Sequence, residues 1–160
     1  MKKLLVLMVV FVLTGAFAQG RVFGEAVSGQ ISVTPAFGMS LGLRAGMENL
    51  LGPLTLRGGV GVAVGDAGGT AATAFGLTTD VLLPFTLQGP NLYAGLGGGL
   101  VVAAAGGASA TAFQVRGILG LEFPVAGKFS LLTELVPGFT FAGGNSEFGL
   151  GINLGPRLYF

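Results

Sequence analysis

Apolar residues alternate with small or polar residues along most of this chain, and this period of two restricts its fold more than any other feature. Over residues 147–160 every even position is apolar, whereas the odd positions are mostly glycine, charged or polar. Residues 54–64 repeat the pattern, with Thr55, Arg57 and glycines between the apolar positions. A period of two is typical of a β-strand whose two faces have different surroundings. The sequence therefore predicts an all-β protein.

Seven segments carry this alternation, and residues that favour turns separate them. The segments are 31–47, 54–64, 70–85, 91–105, 110–124, 129–142 and 147–160. A closed antiparallel barrel in a single bacterial chain has an even number of strands. We therefore predict an eighth strand at 21–28, although the alternation there is weak. Short connections rich in glycine, proline and asparagine favour an up-and-down order of the eight strands.

Phenylalanine spacing distinguishes a membrane barrel from a soluble β-sandwich, which can show the same alternation. On three strands two phenylalanines of the apolar face lie ten residues apart, and on a fourth they lie twelve apart. Ten residues of a strand tilted by about 40° rise roughly 25 Å, the height of the apolar band around transmembrane barrels. We predict an antiparallel transmembrane β-barrel with two aromatic girdles, which consist of Phe75, Phe85, Phe113, Phe123, Phe129, Phe139, Phe148 and Phe160.

The first eighteen residues have the pattern of a secretory signal peptide. Lys2 and Lys3 precede an uncharged apolar run, and residues 16–18 read Ala-Phe-Ala, a cleavage site of the small-x-small type. The apolar run is shorter than the roughly 20 residues that a membrane-spanning helix needs. We predict a cleaved signal peptide at 1–18 and one barrel domain at 19–160.

The last eight residues have the pattern polar-x-Gly-x-x-hydrophobic-x-aromatic, formed by Asn153, Gly155, Leu158 and Phe160. This pattern resembles the assembly signal at the end of outer-membrane barrels. The chain as a whole is similar in architecture to small eight-stranded barrels, namely the OmpX-like proteins and the transmembrane domain of OmpA-like proteins. The resemblance implies a bacterial outer-membrane protein whose last strand is recognised by the outer-membrane insertion machinery, with the C-terminus on the periplasmic side.

Charged residues within the predicted strands avoid the apolar face. A charge on the lipid-facing surface costs about 2 to 4 kcal/mol at the membrane midplane, so the opposite face should line the lumen. Most of these charges fall in the periplasmic half of their strands. The predicted lumenal charges are Arg44, Arg57, Asp80, Arg116, Glu122, Glu134 and Arg157.

Hairpin registers predict how some of these charges pair. Turns centred near Ala126 and Gly144 would place Glu134 diagonal to both Arg116 and Arg157 on the neighbouring strands. We therefore predict that these three residues form ion pairs that plug the lumen. The alternative is a wet lumen in which each charge is separately hydrated. Small inward residues toward the extracellular end predict a blind, water-filled vestibule above the plug.

The absence of histidine and cysteine removes most catalytic chemistry. A Ser-His-Asp triad, a Cys-His pair and the common nitrogen or sulfur metal sites are impossible without them. We predict no catalytic residue, no metal and no cofactor. Without Lys2 and Lys3 the chain has six basic and seven acidic residues, so no basic surface favours nucleic acid.

These observations predict a non-enzymatic outer-membrane barrel that contributes to envelope integrity. A small, porin-like ion channel is the alternative, which only the wet lumen favours. A lipid-modifying membrane enzyme is a third interpretation, although the histidine usual in such barrels is missing. The expected partners are outer-membrane lipid and, during assembly, the insertion machinery, and the expected state is a monomer.

Overall fold

The alternating segments form a closed β-barrel in the computed structural model, which describes residues 20–33, 36–67, 69–86 and 89–160. Within these residues eight antiparallel strands follow one another in chain order, and the last pairs with the first. This confirms the predicted eight-stranded up-and-down barrel. The strands are β1 (Val22–Val33), β2 (Ala36–Leu51), β3 (Leu54–Ala67), β4 (Thr70–Thr86), β5 (Asn91–Ala105), β6 (Ala108–Ala126), β7 (Phe129–Ala142) and β8 (Asn145–Tyr159).

The first two strands differ most from their predictions. The second, predicted at 31–47, runs from Ala36 to Leu51. The first extends to Val33, so residues 31–33, which we assigned to the second strand, belong to β1. Its buried, inward side includes the apolar Phe23 and Val27, whereas the outward Ala26 and Ser28 are small and exposed. Neither face is uniformly apolar, which explains the weak alternation. The predicted signal peptide at 1–18 lies outside the described residues.

The two ends of the barrel are distinguished by the chain termini. The end that holds the start of β1 and the end of β8, here the terminal end, also holds the turns at Gly52, Gly89 and Gly127. The opposite, distal end includes two-glycine turns at 106–107 and 143–144. All these glycines have positive φ, as does Asn49, where the pairing of β2 with β3 shifts register. Among the described residues, no helix is long and apolar enough to cross a membrane.

The outer face of the barrel is apolar over most of its surface. All eight phenylalanines of the predicted girdles are exposed there, with 37% to 71% of their surface accessible. Phe139 and Phe148 are directly paired on β7 and β8, and their rings pack edge to face with centroids 5.4 Å apart. The charged residues of the described chain lie instead in the lumen, in turns or at the rims, so the outer face is suited to contact lipid.

Candidate functional site

A network of polar and charged side chains crosses the lumen toward the terminal end, and each of the eight strands contributes to it. We call this set the lumenal network. Its acidic and basic members are almost fully enclosed, the most accessible being Arg116 with 15% of its side chain exposed. The members, in chain order, are Glu25, Arg44, Arg57, Asp80, Tyr93, Arg116, Glu122, Glu134, Asn153, Arg157 and Tyr159.

Arg57 on β3 is the centre of the network, with 1% of its surface exposed. Its Nε and Nη2 donate to Oδ2 of Asp80 at 3.0 and 2.9 Å. Its Nη1 donates to Oε1 of Glu134 at 2.5 Å and to Oε2 of Glu25 at 3.1 Å. One guanidinium therefore links three carboxylates, which come from β1, β4 and β7.

Glu134 on β7 is the carboxylate with the most varied partners. Its Oε2 accepts from Nη1 of Arg44 at 2.6 Å and from Nδ2 of Asn153 at 3.1 Å. Its Oε1 accepts from the hydroxyl of Tyr93 at 2.9 Å, in addition to the bond from Arg57. Charge-assisted hydrogen bonds of this kind are roughly twice as strong as neutral ones.

Two arms extend the network from this centre. On one side Arg116 donates through Nε and Nη2 to Oδ1 of Asp80 at 3.1 and 2.8 Å. On the other side Arg157 donates to Oε1 of Glu25 at 2.8 and 2.5 Å, and to Oε2 of Glu122 at 2.6 Å. These arms join strands that are adjacent or two apart, whereas the bond from Arg57 on β3 to Glu134 on β7 joins opposite sides of the lumen.

The charges of the network balance. Four arginines face four carboxylates, and among the described residues no buried side-chain nitrogen or oxygen lacks a hydrogen-bond partner. Burying a charge is tolerated when it is paired and hydrogen-bonded, and removing one partner can cost about 3 to 5 kcal/mol. The network therefore behaves as one unit, in which each member depends on the others.

The predicted pairing within the network is wrong in one respect. Glu134 contacts Arg44 and Arg57, and its ion pairs do not include the predicted partners Arg116 and Arg157. The registers are two residues away from those predicted, because Glu134 lies opposite Gly120 on β6 and Asn153 on β8. A register shift near Pro124 and a tight two-glycine turn account for the difference. All the arginines and acids that we placed in the lumen do lie there.

Sequence reasoning missed Glu25, Tyr93 and Tyr159 as members of the network. Glu25 escaped notice because it lies in β1, where the alternation is weak. The tyrosines carried a signal, since both fall on the inward face of their strands. The hydroxyl of Tyr159 donates toward Glu122 and also lies 2.9 Å from Glu48 at the terminal rim.

Apolar and aromatic side chains pack beside the network in the lumen. Leu82, Tyr93 and Ile118 form a buried cluster inside the barrel, and Phe23 packs edge to face on Tyr159 with ring centroids 5.9 Å apart. Gly120 makes room for this cluster, because a Cβ atom there would collide with the ring of Tyr93. Eight strands enclose an interior that side chains can just fill, and at the level of this cluster they fill it.

A cavity of about 200 Å³ lies on the distal side of the network. Arg44, Arg116 and Asn153 line it where it meets the network, and small residues such as Gly61 and Gly138 line its walls. The cavity occupies part of the predicted vestibule. Gly97 on β5 allows Asp80 to approach the backbone of that strand, because a Cβ atom there would collide with the carboxylate.

The four residues of the C-terminal pattern have different surroundings in β8. Asn153 points inward and joins the network, whereas Leu158 and Phe160 are exposed on the outer face. Gly155 lies where β8 meets β1, and a Cβ atom there would collide with the carbonyl oxygen of Ala26. The backbone nitrogen of Phe160 donates to the carbonyl of Val22 at 2.9 Å, so the last residue helps to close the barrel.

A closed barrel with an apolar exterior and charged side chains paired in its interior is a transmembrane β-barrel, because no strand edge is left unpaired toward lipid. Known structures agree with this class, although no family model and no curated protein matches the chain. Neisserial surface protein A is similar, with a TM-score of 0.68 and 18% identity over 88% of this chain and 97% of that one. A major outer membrane protein from Thermus thermophilus has a TM-score of 0.57 and 20% identity, over 89% of this chain and 100% of that one.

The outer membrane enzyme PagL also matches, with a TM-score of 0.56 and 12% identity over 85% of this chain and 98% of that one. These neighbours are outer-membrane proteins, and the chain has the fold of the small eight-stranded outer-membrane β-barrels, as its resemblance to them predicted. Because one neighbour is an enzyme, this fold can host catalysis. Function must therefore be argued from the residues of this chain.

Proposed function

We propose that this chain is a non-enzymatic outer-membrane barrel that contributes to envelope integrity and conducts neither ions nor solutes. The observation that carries the proposal is the lumenal network, whose paired charges come from seven of the eight strands, while β5 adds the hydroxyl of Tyr93. A water-filled path would need to break several of these pairs at once. Since breaking one buried pair costs about 3 to 5 kcal/mol, an open state would be rarely populated.

Conductance measurements on refolded protein in planar bilayers test the seal. We expect no stable current steps from the wild type, and regular steps would favour the channel alternative instead. The variant Arg57→Ala serves as the comparison, because it removes the guanidinium that links three carboxylates. Leakage through this variant, after its strand content has been verified, would identify the network as the seal.

The absence of an enzymatic activity is also part of the proposal. Histidine and cysteine are missing from the sequence, and each lumenal carboxylate is bound to at least one arginine. A carboxylate held in this way is a poor general base, because the arginine stabilises its charge. Incubation of the purified barrel with outer-membrane lipids should leave their masses unchanged, and the appearance of a deacylated or otherwise modified lipid would contradict this.

The proposed partners are outer-membrane lipid around the apolar exterior and, during assembly, the insertion machinery at the last strand. The exterior is apolar on strands around the barrel, as a monomer surrounded by lipid requires. Membrane fractionation of cells tests the location, with the protein expected in the outer-membrane fraction. The mass of the protein in detergent tests the monomer, and a defined dimer would refute it.

A further inference from the structure

The cavity on the distal side of the network presents an uneven distribution of charge. Although the network is balanced as a whole, the charged residues that line this cavity are two cations, Arg44 and Arg116, and its described lining includes no carboxylate. From this asymmetry we propose that the cavity is a binding site for a small oxyanion, such as inorganic phosphate, held between the two guanidinium groups.

The layering of the charges supports the site. Arg44 and Arg116 have 8% and 15% of their side chains exposed, whereas Asp80 and Glu134, to which they are paired, have 1% and 0% exposed. The carboxylates thus lie behind the arginines as seen from the cavity. A ligand in the cavity meets the positive groups first, and the partly enclosed surroundings strengthen their electrostatic attraction.

Unused donors on both guanidinium groups provide specific contacts. Within the described part of the chain Arg44 forms its ion pairs through Nη1, which leaves Nε and Nη2. Arg116 uses Nε and Nη2 for Asp80, which leaves Nη1. Arginine binds oxyanions well because its planar set of N–H donors matches the spacing of their oxygens.

Neutral polar groups lie among the small and apolar residues of the cavity lining. Ser40, Thr78 and Thr140 contribute hydroxyl groups to its lining, and Gln114 contributes an amide whose Nε2 donates to Oγ1 of Thr140 at 3.2 Å. Hydroxyl groups can donate to a phosphate or a sulfate without adding a charge. These groups add neutral hydrogen-bond donors to the lining that also holds the two guanidinium groups.

The size of the cavity limits the ligand to a small ion. A volume of about 200 Å³ exceeds the roughly 30 Å³ that one water occupies in the liquid, so a tetrahedral oxyanion with a few waters fits. The two-glycine turns at 106–107 and 143–144 are the shortest kind of hairpin connection, which favours access from the distal end. The same oxyanion group could come from free phosphate or from a lipid headgroup.

Nuclear magnetic resonance of the refolded, isotope-labelled barrel in a phosphate-free detergent tests the site. We expect inorganic phosphate, added at constant ionic strength, to shift the amide signals of Thr78, Gln114 and Thr140 in a saturable way. Chloride at the same ionic strength is the control. Equal shifts with chloride, or no saturable shifts with phosphate or with anionic lipid, would overturn the proposal. Saturable shifts caused only by vesicles with anionic phospholipid would support the site and identify the headgroup as its ligand.

Two variants separate specific binding from a general effect of charge. Arg116→Gln should weaken phosphate binding by about tenfold or more, because it removes a charge-assisted contact. Arg21→Gln is the matched control, since Arg21 is exposed near the terminal end, with its guanidinium 4.0 Å from the ring centroid of Tyr159. Equal weakening by both variants would contradict the site. If Arg116→Gln does not fold, Thr78→Val should weaken binding by roughly two- to tenfold, and an unchanged affinity would refute the role of the cavity.

Discussion

Replacing Glu134 with glutamine tests whether the lumenal network stabilises the barrel. The substitution keeps the size and shape of the side chain and removes one negative charge. It therefore leaves four arginines facing three carboxylates inside the lumen. The bonds from Arg44 and Arg57, at 2.6 and 2.5 Å, lose their charged acceptor.

The expected loss of stability follows from the partners that remain. Arg57 keeps Asp80 and Glu25, whereas Arg44 keeps only a 3.6 Å contact with Glu25. Each charge-assisted hydrogen bond contributes about 1.5 to 3 kcal/mol, and the amide oxygen of glutamine can still accept one of the two. We expect the free energy of unfolding to fall by about 3 kcal/mol, near the lower end of the cost of breaking a buried ion pair.

Urea unfolding of the refolded protein, followed by circular dichroism, measures this loss. With a slope of about 1 to 3 kcal/mol per molar urea, the midpoint should fall by about 1 to 3 M. Glu147→Gln is the matched control, because Glu147 is an exposed residue of β8 and its change should stay within about 0.5 kcal/mol. Equal midpoints for the two variants would refute the reasoning. Adding Arg44→Gln to the Glu134 variant should then restore part of the loss, as coupled partners do.

Three further perturbations test other parts of the barrel. In a gel assay of refolding, Gly155→Ala should refold poorly, because the added methyl group would collide with the backbone of β1. Gly76→Ala is the control and should refold normally, because the nearest atom to its added methyl group is 3.6 Å away. Deletion of Phe160 should reduce insertion in cells far more than it lowers the urea midpoint of refolded protein; equal effects would leave only a structural role. Tyr93→Phe should lower the midpoint by an amount equivalent to about 1.5 to 3 kcal/mol, since the hydroxyl donates to Glu134, and an unchanged midpoint would show that this bond contributes nothing.

The fold could be predicted because lipid and lumen impose opposite requirements on alternate residues. Where both requirements act, as in β5 and β7, the predicted bounds at 91–105 and 129–142 agree with the structure. In β1 they act weakly, since Phe23 and Val27 point inward to pack in the lumen and the outward residues are small. The predicted end of that strand was accordingly wrong.

The partners inside the lumen could not be predicted in the same way. Reasoning from hairpins connects a residue only with its neighbours on adjacent strands, whereas an arginine in a narrow barrel reaches across the interior. Arg44 on β2 meets Glu134 on β7, which is 90 residues away, and Arg157 on β8 meets Glu122 on β6. Which of these contacts form depends on strand tilt and register together, so an error of two residues changes every partner. The alternation thus predicts which charges lie in the lumen. That the two charged residues facing the cavity are both arginines follows only from the closed barrel.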